Sequence, residues 1–95
     1  MSELTDDFTP SWVRGVRTRY DEARDRWMIL GPERILVPEG PGADIAQRID
    51  GQRSLGDIVA ELSAEYNADE ETIRAETVQF LRQLIRRKYV TDSAQ

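Results

Sequence analysis

Residues 19–40 read RYDEARDRWMILGPERILVPEG, in which two short apolar runs flank a Gly-Pro-Glu turn. The run WMIL (27–30) is apolar at every position, as is typical of a strand that is covered on both sides or central in its sheet. RILV (34–37) follows after three residues and ends at Pro38, which cannot donate to a strand ladder. This spacing predicts a β-hairpin.

A third strand is predicted upstream, because VRTRYDE (16–22) alternates between the side chains of its two faces. A meander of the three strands places 27–30 in the middle of the sheet and leaves 34–37 at an edge. After Pro38 the apolar spacing becomes helical, and residues 45–49 predict a helix of about two turns. Asp50-Gly51 closes this helix, since Gly suits a left-handed C-terminal position.

Two longer helices are predicted in the remainder of the chain. The first opens at Ser54, where Asp57 three residues later resembles a capping box, and carries an apolar stripe over 55–66. The second begins near Asn67 or Asp69 and runs to about residue 88. Its apolar arc of about 160° is broader than the roughly 100° needed for one-sided packing, which predicts two apolar neighbours. Residues 89–91 predict a brief extended segment.

The predicted order is therefore β-β-β-α-α-α, an α+β fold with a three-stranded antiparallel sheet followed by three helices. This arrangement is winged helix-turn-helix-like, with the wing moved to the front of the chain. We expect a single domain over residues 10–91, a disordered tail at 1–9 and a second tail at 92–95.

The composition excludes several classes of function. The chain has no Cys and no His, so it lacks a thiol nucleophile, the commonest general base and the commonest metal ligands. We therefore expect no enzyme, no cofactor and no metal. A net charge of −5 disfavours a nucleic-acid partner, and no apolar run is long enough to span a membrane. The acidic N-terminus lacks the apolar region of a signal peptide, which predicts a cytoplasmic protein.

Two features invite a functional interpretation beside a structural one. The edge strand 34–37, preceded by Glu33-Arg34 and ended by Pro38, is short enough to avoid aggregation, or it is a docking edge to which an extended peptide adds a strand. The basic residues at 82 and 86–88 either complement the helix dipole or border a groove for a polypeptide. The alternative function, a DNA-binding winged-helix regulator, is disfavoured because helix 54–66 is acidic.

Four stretches in order resemble the PqqD family of pyrroloquinoline quinone (PQQ) biosynthesis. They are PSWVRGVRTRYD (10–21), MILGPE (28–33), IDGQRSLGDIV (49–59) and VQFLRQL (78–84). The resemblance covers about residues 10–91. One departure is PEGPG (38–42), where the family often has a Leu-Asn pair entering its first helix.

The resemblance implies a non-catalytic peptide chaperone, a recognition element for ribosomally made and modified peptides. It would bind the precursor peptide PqqA and present it to the radical S-adenosylmethionine enzyme PqqE. In the wider recognition-domain group the leader peptide lies along the third strand, against the third helix. The implied peptide-binding residues are Arg34, Ile35, Leu36, Val37, Val78, Leu81, Arg82 and Ile85. An exposed edge and short loops also permit strand exchange within a homodimer.

Overall fold

A computed structural model describes residues 4–93, and these residues form two small antiparallel sheets and three helices. The elements in chain order are β1 (Pro10–Trp12), β2 (Arg17–Asp21), β3 (Arg26–Leu30), β4 (Ile35–Leu36), α1 (Gly42–Gln47), α2 (Leu55–Tyr66), α3 (Glu70–Arg86) and β5 (Val90–Asp92). The α+β class and the β-β-β-α-α-α core of the predicted order are confirmed.

The three-stranded sheet has the predicted meander order β2-β3-β4, with β3 in the centre. Ile29 of β3 pairs with Thr18 on one side and Leu36 on the other, and its side chain is fully buried beneath the helices. The edge strand β4 is shorter than expected, since only Ile35 and Leu36 pair with β3. The three strands thus form one layer, and the helices cover the face that Ile29 occupies.

A second sheet, which the sequence did not predict, joins the two ends of the described chain. β1 pairs with β5 in register from Pro10 opposite Asp92 to Trp12 opposite Val90. The extended segment expected at 89–91 is therefore present as β5, but its partner β1 was missed. Strand β5 reaches Asp92, inside the region expected to be a tail, and residues 94–95 lie outside the described residues.

The sequence predicts a disordered tail at residues 1–9. Within the described part of this segment, residues 4–9, the chain instead forms hydrogen bonds to α2 and α3. Residues 1–3 lie outside the described part. The carbonyl of Phe8 accepts a hydrogen bond from the N–H of Leu55, and the carbonyl of Asp6 accepts one from Gly56. These N–H groups belong to the first turn of α2, which has no intrahelical acceptor for them. The Asp6 carboxylate also binds the Arg74 guanidinium of α3, with oxygen–nitrogen distances of 2.9 and 3.1 Å.

Helix ends follow the predicted capping chemistry. Ser54 and Asp57 form the reciprocal capping box of α2, with two bonds of 3.1 Å. Asp69, one of the two expected candidates, caps α3, whereas Asn67 adopts a left-handed conformation at the end of α2. Helix α1 begins at Gly42, so that the PEGPG segment forms its entry, and it ends at Gln47 before the Asp50-Gly51 turn.

The core lies where α2 and α3 pack on each other and on the sheet. Helix α2 contributes four buried residues and α3 contributes Ile73, Thr77, Leu81 and Leu84. The hydroxyl of Thr77, a polar group in this core, donates to the carbonyl of Ile73 at 2.7 Å. Among the described residues, none of the helices is long and apolar enough to cross a membrane.

Candidate functional site

The outer edge of β4 is the candidate site that the sequence indicated. Within residues 4–93, β4 pairs only with β3, and no described strand pairs with its other side. Ile35 is 64% exposed, the largest exposed fraction among the large apolar side chains of the described chain. An exposed strand edge with an exposed apolar side chain is a template for pairing with another chain.

The hairpin register decides which backbone groups of β4 face outward. The N–H of Gly31 donates to the carbonyl of Arg34 at 2.9 Å and closes the turn. Hydrogen-bonded and non-hydrogen-bonded pairs alternate along an antiparallel ladder, so Leu30 opposite Ile35 is a non-bonded pair and Ile29 opposite Leu36 a bonded one. The backbone N–H and C=O groups of Ile35, and of Val37 beyond it, therefore point away from β3.

A cleft of about 370 Å³ lies between this strand and α3. We call it the β4–α3 cleft. Leu36 of β4 and Val37 directly after it line one side. Helix α1 and its entry contribute Pro38, Glu39, Pro41, Gly42 and Ile45, and α3 contributes Glu76, Gln79, Phe80 and Gln83. An added strand would thus have backbone partners on one side and partly apolar walls beneath it.

Two aromatic rings contact glycine residues on either side of β4, one before the strand and one after it. A Cβ atom added at Gly42 would lie 2.9 Å from Cε1 of Phe80, so the Phe80 ring rests on the backbone of α1. A Cβ atom added at Gly31 would lie 2.7 Å from Cε1 of Tyr89, so the buried Tyr89 ring rests on the β3–β4 turn. The absence of side chains at these two positions lets α1 approach α3 closely and lets the hairpin approach Tyr89, between α3 and β5.

A second depression, of about 590 Å³, lies beside the start of β4 and the end of α3. Its lining includes Arg14, Arg34, Arg86, Arg87 and Lys88, together with Val13, Val16, Pro32, Glu33 and Tyr89. We call the five cationic residues the basic end. Lys88 has a φ of +65°, and the N–H groups of Lys88 and Tyr89 bond back to the carbonyls of Ile85 and Leu84. These bonds stop α3 in a Schellman motif and turn the chain toward β5.

The structure places the predicted strand residues at the site. Leu36 and Val37 line the β4–α3 cleft, Arg34 belongs to the basic end, and Ile35 is exposed and lines neither depression. It does not bring the four predicted residues of α3 to the cleft. Leu81 has no exposed surface, and its side chain belongs to the core. Val78, Arg82 and Ile85 are absent from the linings of both depressions.

The α3 residues predicted from the sequence and those that line the cleft differ in their angular position around the axis of α3. At 100° per residue, Glu76, Gln79, Phe80 and Gln83 lie within about 100° of one another. The set Val78, Arg82 and Ile85 is centred about 140° away from them, with the buried stripe between the two sets. Arg74 shares the flank of Val78 and Ile85, and this is the flank that the N-terminal segment covers through Asp6. Sequence reasoning missed the cleft residues of α3 because three of the four are polar.

The outer surface of α2 is occupied by ion pairs. Arg48 binds Glu61 at 3.1 Å and Glu65 at 2.8 Å, and Arg53 binds Glu61 at 2.9 Å. The hydrogen bond to Glu61 and its charge raise the pKa of the Arg53 guanidinium above its ordinary value. A helix that carries these acids presents no cationic surface to phosphates, so α2 does not have the surface of a DNA-recognition helix.

An uncovered strand edge beside a partly apolar cleft is the arrangement used by domains that bind peptides through strand addition. Comparison with known proteins identifies the family. The model of the family "Coenzyme PQQ synthesis protein D (PqqD)" matches residues 26–90. The chain belongs to the PqqD family, which confirms the resemblance found in the sequence.

Curated relatives and solved structures agree with this assignment. A PqqA binding protein of Xanthomonas oryzae pv. oryzae (strain PXO99A) is 44% identical over 79 residues, which cover 83% of this chain and 86% of the relative. A PqqA binding protein of Rhodopseudomonas palustris (strain BisB5) is 37% identical over 84 residues, 88% of this chain and 82% of the relative.

Among solved structures, the solution NMR structure of the PqqD truncation of Methylobacterium extorquens PqqCD superposes with a TM-score of 0.80. It is 27% identical and covers 93% of this chain and 94% of its own, and it is described as a functional, stand-alone recognition element for ribosomally synthesized and post-translationally modified peptides. The crystal structure of PqqD from Xanthomonas campestris gives a TM-score of 0.56 at 34% identity, over 88% of this chain and 93% of its own.

Proposed function

We propose that this chain is a non-catalytic peptide chaperone of PQQ biosynthesis, which binds the precursor PqqA by strand addition at β4 and presents it to the radical S-adenosylmethionine enzyme PqqE. The names of the relatives and the described role of the Methylobacterium extorquens domain support peptide binding. The proposed site of action is the cytoplasm, where ribosomes release the newly made precursor.

One observation carries the proposal: the edge of β4 that pairs with no strand of residues 4–93 lies directly beside the β4–α3 cleft. The outward N–H and C=O groups of Ile35 and Val37 supply up to four backbone hydrogen bonds to an added strand. Each contributes about 0.5–1.5 kcal/mol net, and ordering a flexible peptide opposes much of the total. Apolar side chains of the guest must therefore enter the cleft against Leu36 and Phe80.

Calorimetric titration with synthetic PqqA tests this site, with two variants that place the same bulky side chain on different faces of α3. Gln83 is exposed at the mouth of the cleft, whereas Arg82 is exposed and lines neither depression. Gln83→Trp fills the cleft without removing a core contact, so we expect at least tenfold weaker binding. Arg82→Trp should bind PqqA with nearly the affinity of the unmodified chain.

Together, Gln83→Trp and Arg82→Trp show which of the two faces of α3 contacts the peptide. If Arg82→Trp blocks binding and Gln83→Trp does not, the peptide lies on the flank predicted from the sequence and the cleft is not the site. If neither variant changes the affinity while both remain folded, strand addition at β4 is refuted.

Presentation to PqqE requires a separate measurement. PqqE should bind the preformed complex of this chain with PqqA, as a ternary complex in sedimentation velocity. PqqE that displaces PqqA, or binds only the free chain, would contradict the presentation role. The same runs without PqqA report whether the chain forms a homodimer as its concentration rises, which strand exchange between protomers requires.

A further inference from the structure

The positive charge of this acidic protein is unevenly distributed. The chain has 13 Lys and Arg residues and a net charge of −5. Within residues 4–93, five of the 13 form ion pairs with a carboxylate, namely Arg24, Arg26, Arg48, Arg53 and Arg74. The five residues of the basic end have no carboxylate within ion-pairing distance in residues 4–93, and they share one depression whose lining includes a single acid, Glu33.

The β4–α3 cleft has the opposite charge. Its lining includes Glu39 and Glu76 and no Lys or Arg. Arg34 precedes β4 and Glu39 follows it, so the charge changes sign along the strand. A peptide that lies along β4 would therefore meet cations at one end of its path and carboxylates at the other.

Complementation of the α3 dipole does not account for the whole basic end. Such complementation explains the cations Arg86, Arg87 and Lys88, because they lie at the C-terminus of α3. Arg14 and Arg34 do not, because Arg14 precedes β2 and Arg34 belongs to the β3–β4 turn. Three separate segments thus bring to one place cations that have no ion-pair partner among residues 4–93, and the contact of Tyr89 with Gly31 links two of these segments.

We infer that the basic end binds an acidic segment of the guest peptide and thereby sets the direction in which the peptide lies along β4. This inference rests on the proposed function and deepens it. A protein of net negative charge repels an acidic peptide at long range, so a local concentration of unpaired cations guides such a peptide to one end of the strand. The acidic residues of the guest then lie beside Arg34, and the rest of it runs toward Glu39.

Charge reversal tests the basic end with a matched control. Arg34→Glu and Arg87→Glu each change the net charge by the same amount as Arg19→Glu, which lies on β2 outside both depressions. We expect each of the first two to lower the association rate of PqqA about fivefold or more and to weaken its salt dependence. Arg19→Glu should change both quantities far less. Thermal unfolding of each variant checks that the fold is retained.

The direction is measured by paramagnetic relaxation. The chain has no Cys, so Glu39→Cys provides one site for a nitroxide label. In ¹⁵N-labelled PqqA bound to this variant, the label should broaden the amides farthest from the acidic segment and spare those within it. A label at Gln52→Cys, outside both depressions, is the control for nonspecific broadening.

The outcomes separate the two proposals. If Gln83→Trp abolishes binding while the basic-end variants match Arg19→Glu, or if the nitroxide broadens the acidic segment first, the directional inference is overturned and strand addition stands. If Gln83→Trp leaves the affinity unchanged, the β4–α3 cleft is not the binding site, and the strand-addition part of the proposed function fails whatever the basic-end variants show.

Discussion

Two adjacent proline substitutions in β4 should have opposite effects, because the backbone N–H groups of Ile35 and Leu36 point in opposite directions. The pairing of Ile29 with Leu36 directs the Leu36 N–H toward β3, whereas the Ile35 N–H faces the open edge. Proline removes the N–H in each case. Leu36→Pro should therefore weaken the fold, and Ile35→Pro should weaken strand addition.

The magnitudes follow from the hydrogen bonds involved. Leu36→Pro loses a ladder bond and leaves the Ile29 carbonyl without its partner, which together cost about 2 kcal/mol of unfolding free energy. For a domain of this size, that loss lowers Tm by about 10 °C. Ile35→Pro breaks no ladder bond, and proline is tolerated on the solvent side of an edge strand. We expect its unfolding free energy to change by less than about 0.5 kcal/mol.

Binding should show the reverse order. Ile35→Pro removes one hydrogen bond to the guest, and its ring obstructs the approach of the added strand, so PqqA should bind about tenfold more weakly or worse. Ile35→Ala is the control, since it removes the exposed side chain and keeps the N–H. Thermal unfolding and calorimetry measure the two effects. Equal destabilisation by both prolines would refute the register, and unchanged affinity in a folded Ile35→Pro variant would refute strand addition.

Three further predictions concern the elements that hold the site in place. Ser54→Ala removes the side-chain acceptor of the α2 capping box and should cost about 1 kcal/mol of unfolding free energy, measured in urea; an unchanged midpoint would exclude a stabilising cap. Deletion of residues 1–9 exposes core surface covered by Phe8 and removes the acceptors of two α2 N–H groups, so it should cost at least about 2 kcal/mol, whereas loss of a frayed tail would cost nothing measurable. The backbone N–H groups of Arg53 and Gln52 lower the pKa of the Asp50 carboxyl group below its ordinary value of 3.8. The ionised carboxylate therefore stabilises the fold at pH values above 3.8, and this stabilisation is lost as the pH falls through the lower pKa of the folded state. Asp50→Asn should therefore flatten the fall of Tm in acid, and an unaltered pH profile would show that Asp50 does not contribute to it.

The sequence was sufficient to predict the elements whose signals are local. The two apolar runs with a turn between them define the hairpin, and the Ser54 and Asp57 spacing defines the start of α2. Strand β1 was missed because a three-residue strand that contains Pro10 has no alternating pattern of its own. Its strand conformation depends on pairing with β5, about 80 residues later in the chain. Pairing between distant segments has no local sequence signature.

The face of α3 could not be chosen from the sequence for a related reason. The broad apolar arc of the helix correctly indicates two neighbours, but periodicity does not say which flank contacts the chain itself. One flank meets the N-terminal segment, where Arg74 binds Asp6 across 68 positions of sequence. The other flank carries Phe80 among polar residues and remains open beside β4. A hydrophobicity pattern favours the covered flank, because that flank has the more apolar side chains.

The shortness of β4 has a consequence for specificity. Two paired residues and a following Pro38 limit the backbone bonds that any added strand can form, and these bonds alone do not offset the roughly 4–15 kcal/mol lost on association. An arbitrary extended chain, including a second copy of this one, should therefore bind poorly at the edge. A guest with apolar side chains spaced to reach the β4–α3 cleft obtains the rest of its binding free energy from burial of those side chains against Leu36 and Phe80. A scrambled PqqA of identical composition should consequently lose binding in calorimetry, by at least a hundredfold. If the scrambled peptide binds as well as PqqA, then the strand edge alone supplies the affinity and the cleft has no part in recognition.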